Sequence, residues 1–82
     1  MPTKLLRQIK NTLPELRKSE KIVAEYILND PKSIISLKTA EVSSLMGISE
    51  PTLIRFCKAM GFTGYQELKI NLSQQLAADD YF

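Results

Sequence analysis

Apolar residues in this chain recur at helical intervals in segment after segment, and nowhere do they alternate in the two-residue rhythm of a strand. Leu5, Leu6, Ile9 and Leu13 form one stripe, which Pro14 ends or interrupts because its ring lacks the amide a helix interior needs. Ile22, Val23, Tyr26 and Ile27 mark one side of a second helix, from about Lys18 to Leu28. Asn29-Asp30-Pro31 stops it, since the residue before a proline is pushed out of the α region. From Lys32 to Lys38, Ser33 and Ser36 bracket Ile34 and Ile35, which predicts a short helix or turn whose isoleucines cover the core.

The stretch TAEVSSLMGISEPTLIRFCKAM, Thr39 to Met60, carries a tighter pattern. Val42, Met46, Ile48, Leu53, Phe56 and Cys57 fall where two helices crossing at a steep angle touch, and Gly47 supplies the backbone freedom of a tight turn between them. Ser43 is small enough to let the second helix approach, and Ile48 plugs the space behind the turn. A glycine after a helix is by itself a common stop; together with these neighbours it gives helix-turn-helix spacing. The second helix, Ser49 to Met60, then has one buried face and one free face, and a free face of this kind can enter a DNA major groove.

Gly61 ends that helix, with Phe62 folding back as its apolar partner. Thr63-Gly64-Tyr65-Gln66 fits a capping box in which Gln66 reaches back to the Thr63 amide. Tyr65, Leu68, Leu72 and Leu76 follow at helical spacing, giving a last helix to about Ala77. The expected fold is all-α: a small bundle of about five helices containing a helix-turn-helix. Residues 1–77 make one DNA-binding domain, and 78–82 start a linker or disordered tail.

Composition narrows the chemistry. Eighty-two residues are one domain, near the smallest size at which a single core sustains folding without disulfides or metal. There is no histidine, no cysteine pair, no glycine-rich phosphate loop and no acid cluster with metal-ligand spacing, so neither catalysis nor a metal or cofactor is expected. The one cysteine, Cys57, sits beside Phe56 on the buried face and reads as a small hydrophobe. No long apolar run, signal peptide pattern or lipidation motif occurs, and a reducing cytoplasm with no membrane partner is the expected setting.

Net charge is only +2, but it is unevenly spread. Lys4, Arg7, Lys10, Arg17, Lys18 and Lys21 stand against Glu15 and Glu20 near the start, while the remainder is slightly acidic. These cations either form a solvated face or flank DNA phosphates.

With Leu53, Phe56, Cys57 and Met60 inward, the second helix of the motif turns Glu50, Pro51, Ile54, Arg55 and Lys58 outward, with Thr52 on the flank. Arg55 is the candidate base reader, because its planar fork matches guanine O6 and N7; an ion pair with Glu50, or a phosphate contact, is the competing reading. Ser49 and Thr52 carry hydroxyls at a helix N-terminus, where free amides and the dipole favour phosphate. Glu50 either accepts from a cytosine amino group, acts against wrong sites, or simply complements the helix dipole. Pro51 suits the first turn, and its ring can meet a thymine methyl. Lys38, Thr39 and Lys69, near helix starts, are candidate phosphate contacts. Double-stranded DNA is thus the expected partner, bound as a homodimer on paired half-sites. A helical interaction module, pairing through the Leu5, Leu6 and Ile9 stripe or the Leu68 to Leu76 helix, is the alternative.

Three segments, SEKIVAEYILNDP, TAEVSSLMGISEPTLIRFCKAMGF and TGYQELK, carry a resemblance that spans Leu16 to Leu72. The chain resembles the N-terminal DNA-binding domain of the RpiR family, bacterial transcription regulators that respond to phosphosugars. The resemblance implies a transcription-regulation function. It also implies that the chain is a fragment whose phosphosugar effector would bind a C-terminal, sugar-isomerase-like domain absent here. Family members commonly place Ser or Thr where this chain has Arg17 and Lys38, at the caps of two helices; Ser19, Ser36 or Thr39 can take over the capping oxygen there by moving a helix start by a residue or two, without touching the recognition surface.

Overall fold

The computed structural model describes residues 4–81, with side chains as far as Ala77. Among them are five α-helices: α1 (Lys4–Thr12), α2 (Lys18–Asn29), α3 (Thr39–Met46), α4 (Glu50–Ala59) and α5 (Tyr65–Tyr81). Single 3-10 turns at Leu13–Glu15 and Pro31–Ser33 follow α1 and α2, each holding the proline that the sequence marks as a breaker. None of the described helices is long and apolar enough to cross a membrane.

The central helix is α2, which touches α1, α3 and α4, while α5 closes the bundle against α1 and α4. Its buried stripe is Glu20, Val23, Ala24 and Ile27. The expected face was rotated from this: Ile22 is exposed and Tyr26 only half-buried. Ala24 explains the rotation, since a methyl-sized side chain lets neighbouring helices close on α2 where Ile22 would hold them apart. Around α2 gather Leu5 and Ile9 from α1, Val42 and Met46 from α3, Leu53, Phe56 and Cys57 from α4, and Tyr65, Leu68, Leu72 and Leu76 from α5. Of the isoleucine pair, Ile34 is fully buried and Ile35 half-buried on the same core.

Two long-range side-chain bonds lace the ends together. Gln75 on α5 accepts from the Leu5 amide at 2.7 Å, satisfying one of the open donors at the start of α1, and is itself held by Asn71. Gln8 donates to the Met60 carbonyl at 3.2 Å, tying α1 to the end of α4.

Three sequence expectations at the helix ends need correction. The caps of α2 and α3 do not shift: Arg17 and Lys38 keep the extended backbone of a capping residue. In α3 the missing side-chain acceptor is offset by Glu41, whose carboxylate reaches back to the Lys38 amide at 2.8 Å. At α5 the residue reaching back to the Thr63 amide is Glu67, at 3.0 Å, not Gln66. The helix begins at Tyr65, so Glu67 occupies its third position, the one that reaches back, and Gln66 is exposed at the second. Finally, α5 does not stop near Ala77 but runs to Tyr81, because Ala-Ala-Asp-Asp contains neither glycine nor proline to break it. Phe82, the last residue of the expected tail, lies outside the described residues.

Phe56 is completely buried at the junction of α4 with the rest of the core. Phe56→Ala is expected to lower stability by about 3–5 kcal/mol, read from chemical denaturation; a midpoint near the parent's would mean that α4 presents a different face to the core.

Candidate nucleic-acid interface

Two glycine turns bracket α4 and set how it sits. Past the end of α3, Gly47 adopts a left-handed backbone, φ 70°, which a side-chain-bearing residue takes only under strain. Its amide donates to the Ser44 carbonyl and the Ile48 amide to the Ser43 carbonyl, at 3.2 and 3.0 Å, so the open carbonyls of α3 are satisfied as the chain turns. Gly61, φ 92°, repeats the arrangement after α4, with Gly61 donating to Lys58 and Phe62 to Cys57. In both turns the residue after the glycine, Ile48 or Phe62, packs against the core. Ser43 is buried where α3 meets α4, its hydroxyl donating to the Ala40 carbonyl at 3.1 Å.

With Leu53, Phe56, Cys57 and Met60 buried, α4 leaves Glu50, Pro51, Arg55 and Lys58 exposed. Ile54 is half-buried rather than outward, packing at the edge of the core. Ser49 is the capping residue of α4: its oxygen accepts from the Thr52 amide at 3.3 Å. The Ser49 and Thr52 hydroxyls lie 2.9 Å apart, and the Arg55 guanidinium donates through Nη2 to Thr52 Oγ1 at 3.3 Å. Ser49, Thr52 and Arg55 therefore form one chain of hydrogen bonds along the helix, which brings these candidates together.

Thr52 is a correction to the sequence reading. It lies only 6 % exposed, not on an open flank, so its hydroxyl is turned to its neighbours and away from an external phosphate. Burial is tolerated because both neighbours supply hydrogen-bond partners. The guanidinium of Arg55, in turn, is held by Thr52 rather than by the Glu50 carboxylate considered as its partner.

The second set of candidates gathers at the start of α3. Lys38 is exposed and Thr39 half-buried there. Lys69 comes from α5 to the same place: its ammonium donates to the Leu37 carbonyl at 3.4 Å and lies 5.6 Å from the centre of the Tyr65 ring. An ammonium has three protons, so one is committed internally and two remain. Tyr65 fixes this loop from within, its hydroxyl donating to the Ile34 carbonyl at 2.7 Å with the Leu37 carbonyl at 3.1 Å. That anchor has no local signature, because its partners lie some thirty positions away.

Burial pushes the Tyr65 phenol from 10.0 up to about 12, with the nearby Cys57 and Glu41 adding to the rise. Desolvation likewise lifts the Cys57 thiol from 9.0 to about 12, offset slightly by a backbone hydrogen bond. A thiol so protonated and buried is a packing group, not a nucleophile or ligand.

A family model described as a helix-turn-helix domain of the rpiR family matches residues 3–79. The chain is 45% identical over 78 residues to a protein of Pseudomonas aeruginosa named HTH-type transcriptional regulator HexR, covering 95% of this chain and 27% of that one. Against the Escherichia coli protein of the same name, identity is 40% over 73 residues, 89% of this chain and 25% of the relative. The chain thus spans about a quarter of the length of these curated relatives. Among solved structures, the N-terminal domain of the putative transcriptional regulator ybbH from Bacillus subtilis superposes with TM-score 0.83 at 36% identity, covering 93% of each chain. Vibrio vulnificus NanR, solved in complex with ManNAc-6P, gives TM-score 0.88 at 25% identity over 92% of this chain and 28% of that one.

The two raised ionisations have a signed consequence. In the unfolded chain Cys57 and Tyr65 lose protons from about pH 9 and 10, while in the folded chain they hold them to about 12. Their contribution to stability is complete below pH 9 and falls as pH rises toward 12. Melting temperature is expected to decline across that range, and to decline less in a Cys57→Ala, Tyr65→Phe variant; an equal decline in both chains would show that neither group is responsible.

Proposed function

We propose that this chain, which belongs to the rpiR family of helix-turn-helix domains, is the DNA-binding portion of a transcription regulator and reads a duplex through the outer face of α4 in the major groove. One observation carries the reading. The buried stripe of α4 faces the core, and the opposite face carries Arg55 held in place by Thr52, together with exposed Glu50, Pro51 and Lys58. An arginine that is both exposed and hydrogen-bonded along its own helix suits bidentate pairing with guanine O6 and N7.

The remaining residues divide by chemistry. Ser49, Lys58, Lys38, Thr39 and the spare protons of Lys69 contact phosphate and hold the register. Glu50 and Pro51, at the first turn, tune which bases are admitted, by accepting from a cytosine amino group and meeting a thymine methyl. Two copies bind paired half-sites, the usual arrangement for this motif. In the full-length regulator a separate domain takes a phosphosugar, a reading supported by the complex of NanR with ManNAc-6P. The setting is the cytoplasm, and the relatives' regulator names accord with a binding rather than a catalytic role.

Selection of bound duplexes from a random pool, followed by titration, tests the assignment. Arg55→Ala should weaken the selected site by about 1–3 kcal/mol more than random duplex and relax preference at one base position. Lys38→Ala and Lys58→Ala should weaken all duplexes alike and flatten the salt dependence by roughly one charge each. Binding that does not fall as salt rises would instead favour the protein-interaction alternative.

A further inference from the structure

Thr52 is almost wholly buried, yet it lies between two exposed polar residues at three-residue spacing, Ser49 before it and Arg55 after it. A guanidinium can only donate, so Thr52 Oγ1 is an acceptor toward Arg55. Its single proton then has the Ser49 oxygen, 2.9 Å away, as its neighbour. In that direction Ser49 accepts from both the Thr52 hydroxyl and the Thr52 amide, and its own proton is left uncommitted on an exposed residue. The opposite direction would have Thr52 accept twice and leave its proton without an acceptor in a buried place, which is the costlier arrangement.

We propose that Thr52 is the positioning residue of the DNA-reading arginine: its buried hydroxyl, polarised by donating to Ser49, holds the Arg55 guanidinium on the outer face of α4 before DNA arrives. The inference rests on the reading of Arg55 as a base contact and adds the device that aims it. Thr52 touches no DNA. Its effect is to restrict the long arginine side chain to one sector, so that less rotamer freedom is lost when the base is met. The relay also leaves the Ser49 proton free for a phosphate. A phosphate accepting from Ser49 favours the same direction of donation, so backbone docking and base reading reinforce each other.

Thr52→Val keeps the shape and removes the hydroxyl, whereas Thr52→Ser keeps the hydroxyl. Fluorescence anisotropy with the selected duplex, its single-base variants and random duplex is measured for the parent, for both variants, for Arg55→Ala and for the Thr52→Val, Arg55→Ala double variant. Thr52→Val should lose about fivefold to tenfold more affinity on the selected duplex than on random duplex, at the base position that Arg55→Ala relaxes. Thr52→Ser should restore most of that preference. In the Arg55→Ala background, Thr52→Val should have little further effect on preference. A loss shared equally by all duplexes, or one that persists in full without Arg55, would overturn the proposal and leave Thr52 a packing residue. Salt-dependent binding by the parent with no base preference relaxed by Arg55→Ala would overturn the reading of Arg55 itself. Should Thr52→Val not fold, the free parent decides: side-chain nitrogen spectra should show Arg55 rotating more slowly than exposed Arg7, and equal mobility would contradict the proposal.

Discussion

Leu53, Phe56, Cys57 and Met60 leave α4 no freedom to turn about its own axis, and the outward face of that helix follows from the restraint. Phe56 and Cys57 are completely shielded, so a rotation by even one residue would bring an apolar side chain to water and a charged one into the core. Exposing a buried phenylalanine costs about 1.5–3 kcal/mol, and burying an unpaired charge costs more. The face that carries Glu50, Pro51, Arg55 and Lys58 is therefore chosen by the face that does not.

Holding the helix in rotation would matter little if its ends were loose. Gly47 and Gly61 supply left-handed turns at either end, and the residue after each packs inward, so the entry and exit of α4 are both pinned. From the other side, Tyr65 grips the carbonyls of Ile34 and Leu37, fixing the loop that starts α3, and Gln8 holds the Met60 carbonyl at the far end of α4. The motif is thus clamped by helices lying outside it in sequence, as a small domain requires when its core is limited.

The legible parts of the fold were those with a local cause. Helical periodicity, the two prolines after α1 and α2 and the two glycines around α4 gave the order of the elements, and the inward set of α4 matched its spacing. Periodicity misplaces the face of α2 because it weighs size, and Ala24 is buried for being small where Ile22 is exposed. Caps were harder, since Glu41 and Glu67 replace the hydroxyl caps that simple rules look for. At the interface, the three-residue spacing of Ser49, Thr52 and Arg55 was visible, but whether Thr52 faced water or its neighbours depended on how closely α3 approached α4. The internal bonds of Lys69 and Tyr65 to Leu37 had no sequence signal at all, because they join segments far apart in the chain.

The central claim is that the exposed face of α4 reads the major groove, and methylation interference on the selected duplex addresses it most directly. Methyl groups on guanine N7 stand in the major groove, whereas those on adenine N3 stand in the minor groove. Binding is expected to be blocked by N7 methylation at one or more guanines in each half-site, with the block at one of them lost in Arg55→Ala. Interference confined to adenine N3, or none in either groove, would contradict the account.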